Sequence, residues 1–380
     1  GGTSPATTTE TMGSRGAGRR SPVLRVAVVG CGKAAENHVV EIQKLSGASV
    51  GAVCDAEPLM AEQLAVRYGI RQHYSLMDAM LEAERPDVVH IATPPESHLP
   101  LAVKAMDAGC HVFVEKPLTL CYADSQTLVA HATSCDRKLT IGYGYYFDPI
   151  ARTLREAIAQ GVLGEPVHIE SFLGYSLAGQ FGSAVFADGE HWVHRLPGKL
   201  IHNVIDHLLN KVAGFLSDRA TVHARAWQHD ADRHPAWIMP DELRVMFVDA
   251  NISAFATFTS QAQPLAHFLN VYGTKNSARL DFETGTITFG SMTVLPGPFG
   301  RLSRTFAQSS QYFRQGTKNA VRFVRSDYHA LAGLNFLIDA FYESIRQDAP
   351  VPVPYQDILK VAAMTEAVFA QLEAESSLAV

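Results

Sequence analysis

The chain is poor in the features that mark secreted, membrane-spanning or nucleic-acid-binding proteins. Its five cysteines (Cys31, Cys54, Cys110, Cys121 and Cys135) are an odd number with no Cys-x-x-Cys pair, which argues against a disulfide framework. They read as reduced, mostly buried thiols, and a cytoplasmic location is expected. No apolar run approaches a membrane span, and the longest are broken by charges, so no membrane partner is expected. Basic excess is missing too. Thirty-two Lys and Arg against 38 Asp and Glu leave a formal charge of −6, which argues against a dedicated nucleic-acid surface. No internal repeat is visible. What remains is globular composition, 47% hydrophobic and 18% charged, and 380 residues at roughly 150 per domain predict two domains.

Residues 1–22 hold several glycines, Thr7, Thr8, Thr9, Arg15, Arg19 and Arg20 with almost nothing apolar, and read as a disordered leader. Arg19-Arg20 before an apolar run suggests an export signal. That run is only Val23 to Val29, holds Arg25 and enters a glycine motif, so a first strand is the better reading. From there β-branched runs at 24–29, 49–54, 88–92, 111–115 and 139–143 alternate with helix-like stretches at 34–44, 58–68, 75–84, 97–108 and 122–134. Such alternation implies right-handed crossovers and a parallel, doubly wound α/β sheet over 23–145. Beyond Pro149 strand-like segments dominate, at 166–173, 220–226, 243–248, 252–260, 267–272 and 278–282. Helices are expected at 149–160, 200–213 and 356–373. This second region, 146–380, reads as an α+β domain with a mostly antiparallel sheet. The basic stretch 290–330 receives no element.

The most informative motif is Val29-Gly30-Cys31-Gly32-Lys33-Ala34-Ala35, a G-x-G-x-x-A directly after a strand and opening a helix. Gly30 permits the tight turn, Gly32 lets the backbone approach a pyrophosphate, and Ala35 lets the helix pack close to the strand. The helix N-terminus, with Lys33, then offers N–H groups to phosphate charge. Asp55 follows Ala35 by 20 residues at the end of the second strand, where a carboxylate can accept hydrogen bonds from adenosine-ribose hydroxyls and repel a 2′-phosphate. NAD rather than NADP is the expected cofactor. Thr93 and Pro94 end the third predicted strand and should border it. Glu115-Lys116-Pro117 ends the fourth, where an ammonium on the rim can hold a substrate oxygen and the nicotinamide ribose; surface salt bridging is the plainer alternative.

These residues, taken with His38, His98, Ala108-Gly109-Cys110-His111-Val112, Phe147-Asp148-Pro149, Gly161 to Pro166 and Tyr272 to Lys275, resemble the Gfo/Idh/MocA oxidoreductase family over most of 23–375. The resemblance implies an N-terminal Rossmann domain and a C-terminal domain with a large open sheet that often carries oligomer contacts. A homo-oligomer, dimer or tetramer, is therefore expected. It also implies a catalytic or substrate-positioning role for Lys116, and places Glu115 and His98 beside the cofactor. The family's Asp and His four residues apart match Pro197-Gly198-Lys199-Leu200-Ile201-His202-Asn203-Val204-Ile205-Asp206-His207, with the order reversed: His202 takes the Asp position and Asp206 the His position. A one-residue shift brings in His207 instead.

Positions 202 and 206 are i and i+4 on one helix face, where an imidazole and a carboxylate can share a hydrogen bond in either order. The expectation is that His202 or Asp206 relays a proton while Lys116 positions the oxygen, with Asn203 and His207 close to the substrate. Gly142-Tyr143-Gly144-Tyr145-Tyr146 stands where relatives often carry Asn and Arg. Tyr143, Tyr145 and Tyr146 are thus expected to stack on a carbohydrate-like substrate, or else to fill the domain junction. His191 and His194 invite a zinc reading that no paired Cys–His spacing supports, and no metal is expected. The leading reading is an NAD-dependent oxidoreductase acting on a secondary alcohol or ketone of a sugar, cyclitol or glycosylated small molecule. A redox-neutral, NAD-retaining epimerase, lyase or glycosidase is the alternative, and a non-catalytic nucleotide sensor the third.

Overall fold

The computed structural model describes residues 23–177, 179, 182, 185, 188–229, 239–290, 295–325, 328, 329 and 331–378. The expected leader lies outside them. Two sheets organise the chain. The first is built from β1 (Leu24–Val29), β2 (Ala48–Cys54), β3 (Gln72–Tyr74), β4 (Val88–Ile91), β5 (His111–Val114) and β6 (Leu139–Ile141), all parallel, in the order β3-β2-β1-β4-β5-β6. Its crossovers are α1 (Lys33–Gln43), α2 (Pro58–Tyr68), α3 (Met77–Glu84), α4 (His98–Asp107) and α5 (Tyr122–Ser134). The strand order reverses between β1 and β4, which opens a crevice at the carboxyl ends of those strands. The central strands read as continuous apolar runs because helices cover both faces: Val88, Val89, Ile91, Val112, Phe113 and Val114 are all fully buried. β3 escaped the sequence reading because Gln72-His73-Tyr74 is short and polar.

A short helix, α6 (Gly144–Phe147), and then α7 (Pro149–Ala159) lead out of this sheet. Asp148 caps α7 by accepting from the Ile150 N–H at 3.0 Å, with Pro149 at the first position, a pairing worth about 1 kcal/mol. The second sheet runs β13-β12-β11-β7-β10-β9-β8. Its strands are β7 (Pro166–Gly174), β8 (Thr221–Trp227), β9 (Glu242–Val248), β10 (Ser253–Thr259), β11 (Ala266–Gly273), β12 (Ser277–Asp281) and β13 (Thr286–Phe289). Only β7 and β10 pair in parallel; the other pairs are antiparallel. The buried face, carrying Ala254, Ala256 and Phe258, packs on α8 (Lys199–Val212).

Three helices close the chain. The stretch left without an element forms α9 (Gly297–Val324), 28 residues long and stapled to the sheet edge where Gln311 accepts from the Phe289 N–H and donates to its carbonyl. α10 (Ala332–Arg346) returns to pack on α1, with Asn335 Nδ2 donating to Glu41 O. α11 (Tyr355–Leu378) crosses α5 and α8.

Candidate active site

The glycine turn sits between β1 and the N-terminus of α1. Gly30 has φ +87°, and a Cβ there would meet the Ala92 carbonyl group at 2.7 Å and Thr93 Cγ2 at 2.9 Å, so only glycine fits. Gly32 differs: a Cβ would meet nothing within 4 Å. No packing neighbour therefore demands its smallness, and no side chain caps the helix it opens. The turn fits a pyrophosphate in both respects. Asp55, at the end of β2, accepts from the Cys31 N–H at 2.7 Å and the Glu57 N–H at 2.9 Å. Each carboxylate oxygen keeps lone-pair capacity for ribose hydroxyls. Ala35 is fully buried against the sheet.

The Lys33 side chain is 80% exposed and pairs with Glu36 at 2.7 Å, so its expected role is confined to the backbone. His98, expected beside the cofactor, has no exposed surface. Its ring nitrogens lie 2.8 Å from Thr93 O and 2.9 Å from Pro117 O, bracing the turns after β4 and β5 from behind. The Thr93 hydroxyl accepts from Ser97 Oγ at 2.7 Å, and Pro94 precedes a short 3₁₀ turn at Pro95–Ser97.

Lys116 follows β5 at the same carboxyl edge. Its Nζ donates to both the backbone carbonyl and Oδ1 of Asn203, each at 3.1 Å, which joins the Rossmann half to α8. Burial pulls its pKa down while Glu115 and Asp206 push it up. Asn203 is thus a positioning residue for the ammonium. Asp206, one turn on, is 3% exposed; its Oδ1 accepts from the Tyr143 hydroxyl at 3.4 Å, and Oδ2 has no partner among the described residues. Burial raises its pKa to about 6, against the opposing pull of Lys116 and Tyr143. Asp206 and Tyr143 line a pocket of about 180 Å³ with Pro117, Leu118 and Phe369.

The expected His202–Asp206 hydrogen bond is not formed. His202 lies flat against Phe369, ring centroids 5.0 Å apart, and its Nδ1 is buried without a partner among the described residues. Burial, then Lys116, lowers its pKa to about 4, so the ring is neutral. The competing contact is the aromatic side chain from α11, which a local i, i+4 argument does not contain.

Of the three tyrosines only Tyr143 reaches this pocket. Tyr145 packs edge-on against His207 and His267, and Tyr146 lies under the Arg155 guanidinium at 4.0 Å. Both line a separate cavity of about 790 Å³ between α7, α8 and the second sheet. Both therefore line that cavity and not the pocket beside Asp206. His207 goes with them: its carbonyl accepts from Lys211 Nζ, which is itself 2.5 Å from His267 Nε2. His194 Nε2 lies 2.8 Å from the Val185 carbonyl, and the metal-ligating grouping found among the described residues lies elsewhere.

Sequence reasoning missed what stands behind Glu115. Its Oε1 is 2.8 Å from His38 Nε2, His38 Nδ1 is 2.7 Å from His90 Nδ1, and His90 Nε2 is 2.8 Å from the Tyr342 hydroxyl. Burial raises the Glu115 pKa, but the His38 hydrogen bond and the neighbouring Lys116 charge outweigh it and leave it below its usual range. An ionised carboxylate only accepts, so His38 donates to it through Nε2; with both rings neutral, His90 then donates to His38 and Tyr342 to His90. The visible signal was a histidine inside the apolar strand Val88-Val89-His90-Ile91.

Residues 24–143 match the oxidoreductase family GFO_IDH_MocA, NAD-binding Rossmann fold. That match spans the glycine turn and the whole six-stranded parallel sheet. Among curated relatives, D-glucoside 3-dehydrogenase of Escherichia coli K12 is 31% identical over 171 residues, 45% of this chain and 48% of that protein. Inositol 2-dehydrogenase of Leifsonia xyli subsp. xyli is 36% identical over 147 residues, 38% and 43% of the two chains. The chain thus spans about half the length, or less, of the curated relatives it matches. The fold extends further. Levoglucosan dehydrogenase in complex with NADH and levoglucosan superposes with a TM-score of 0.74 at 16% identity, covering 93% of this chain and 97% of that one. The WlbA dehydrogenase of Bordetella pertussis, in complex with NADH and UDP-GlcNAcA, gives 0.73 at 18% identity, covering 93% and 96%. NAD is the cofactor of the matched Rossmann family.

Proposed function

We propose that the chain is an NAD-dependent dehydrogenase or ketoreductase acting on a secondary alcohol or ketone of a sugar, cyclitol or glycosylated small molecule. The observation that carries this reading is the meeting of Lys116, held by Asn203, with the Asp206–Tyr143 pair at the edge of the sheet that holds the glycine turn. Two relatives named for dehydrogenation of a glucoside and of inositol support the substrate class.

The Gly30–Gly32 turn and the first N–H groups of α1 hold the pyrophosphate, Asp55 the adenosine ribose, and Thr93 and Pro94 border the dinucleotide. Bound there, NAD supplies the two-electron acceptor or donor. The chain's own residues manage the oxygen and its proton. An ammonium has three donors and Asn203 takes two, so Lys116 keeps one N–H for the reacting oxygen. Tyr143 occupies Oδ1 of Asp206 and leaves Oδ2 to take the hydroxyl proton during oxidation, or to return it during reduction. With a pKa near 6, Asp206 serves as a base at neutral pH and still holds a proton long enough to act as an acid.

The seven-stranded sheet offers Trp227, Val248, Phe255 and Tyr272 on one face, each 37–42% exposed, which supports a homo-oligomer through that face. No helix among the described residues is long and apolar enough to cross a membrane, which is compatible with a cytoplasmic enzyme. Following NADH absorbance across polyols, inositols and glycosides tests the activity. Silence across such a panel from protein with demonstrated NAD binding would overturn it.

A further inference from the structure

The amino edge of the Rossmann sheet, opposite the crevice, carries a second cluster. His131 and Cys135 are i and i+4 at the end of α5, and Asp107 is the last residue of α4. His131 Nε2 lies 2.8 Å from Asp107 Oδ1 and 3.4 Å from Cys135 Sγ, and Sγ is 4.0 Å from the same carboxylate oxygen. We propose that Asp107, His131 and Cys135 form a binding site for one divalent transition-metal ion of the zinc type.

Three observations converge. A triangle with those edges has a point about 2.0 Å from every corner, which matches Zn–N and Zn–O bonds and falls a few tenths of an ångström short of Zn–S. A thiolate, an imidazole and a carboxylate are the donor types zinc takes, whereas magnesium and calcium take oxygen alone. Both helices also end here. The three side chains thus sit at the negative dipole ends of α4 and α5, which favour a cation. The site is reachable, since the side chains of His131 and Asp107 are 27% and 58% exposed. Binding replaces the Cys135 S–H bond with a metal–sulfur bond and releases that proton to solvent. Imidazole ligates through Nε2 and carries its proton on Nδ1, and water completes the tetrahedron. Lying at the far edge of the sheet from Lys116, the ion clips α4 to α5 and takes no part in the reaction.

Cobalt titration of the full-length, metal-stripped protein tests this directly. One equivalent of Co²⁺ should give a thiolate-to-cobalt band in the near ultraviolet with tetrahedral visible bands, and Zn²⁺ should abolish both. Cys135→Ser should lose the near-ultraviolet band, while Asp107→Asn and His131→Ala should each weaken binding at least about tenfold. Cys121→Ser, which changes the other solvent-accessible thiol, should leave the titration unchanged. All four positions lie at the surface, and circular dichroism checks the fold of each variant. A wild-type protein without stoichiometric Co²⁺ binding, or a Cys135→Ser protein that keeps the band, overturns the proposal.

Discussion

Replacing Asp206 with Asn should make the protein more stable and less active at once, by an amount that depends on pH. The carboxyl is buried with Oδ2 unpartnered, and its pKa rises from 3.8 to about 6. A raised acid pKa means that the native chain holds the proton more tightly than the unfolded chain. The associated stability is fully present below about pH 4 and is lost as pH climbs through 6. The shift corresponds to about 3 kcal/mol above pH 6. Asparagine carries no such penalty. At pH 8 the variant should therefore be more stable by up to about 3 kcal/mol, or about 3–4 °C in Tm from the average unfolding entropy of a chain this long. At pH 4 the two should coincide. Calorimetric melting of both proteins across that range measures the difference. The same substitution should lower kcat/KM by about 10²- to 10⁴-fold and remove the acid limb near pH 6 from the profile. A stability difference that does not change with pH, or an acid limb that survives in the variant, would refute the assignment of the buried charge.

His202→Leu should keep that acid limb, because the histidine is already neutral and packed on Phe369; measuring the pH dependence of kcat/KM separates it from Asp206. Lys116→Met should cut kcat by at least about 10²-fold, and Asn203→Ala by less, since the carbonyl at 203 still accepts from the ammonium; steady-state rates rank the two. Gly32→Val should raise the KM for NAD at least about tenfold with little change in Tm, whereas Gly30→Val should also lose stability because its Cβ meets the Ala92 carbonyl; thermal melts and NAD titration tell them apart. Tyr342→Phe should destabilise by about 1–3 kcal/mol by stranding His90 Nε2, as read from denaturant unfolding.

Much of the architecture was legible because two periodicities carry it. Val88-Val89-His90-Ile91 announces a strand covered on both faces, and the alternation of Ala254, Ala256 and Phe258 announces one with a single buried face. The places of the glycine turn and of Asp55 were readable for a similar reason: they depend on backbone geometry fixed within a few residues. The helix at 297–324 was not legible. Its pattern of Phe299, Leu302, Phe306 and Phe313 leaves those side chains exposed, so it lacks the buried stripe that marks a core helix. Lys116 and Asp206 were nameable from the family resemblance, but their company was not. Phe369 claims His202, and Asn203 claims Lys116, through contacts 167 and 87 residues apart in the chain. Asp107 joins His131 and Cys135 from a different helix, which no spacing reveals.

The relay from Tyr342 to Glu115 has a direction. With neutral rings every hydrogen bond in it points the same way, so three donor dipoles add toward a carboxylate adjoining Lys116. The charge balance of the crevice is thus set in part by a phenol that enters the chain more than two hundred residues later. A lineage that altered α10 would be retuning its chemistry without touching a residue that meets the substrate.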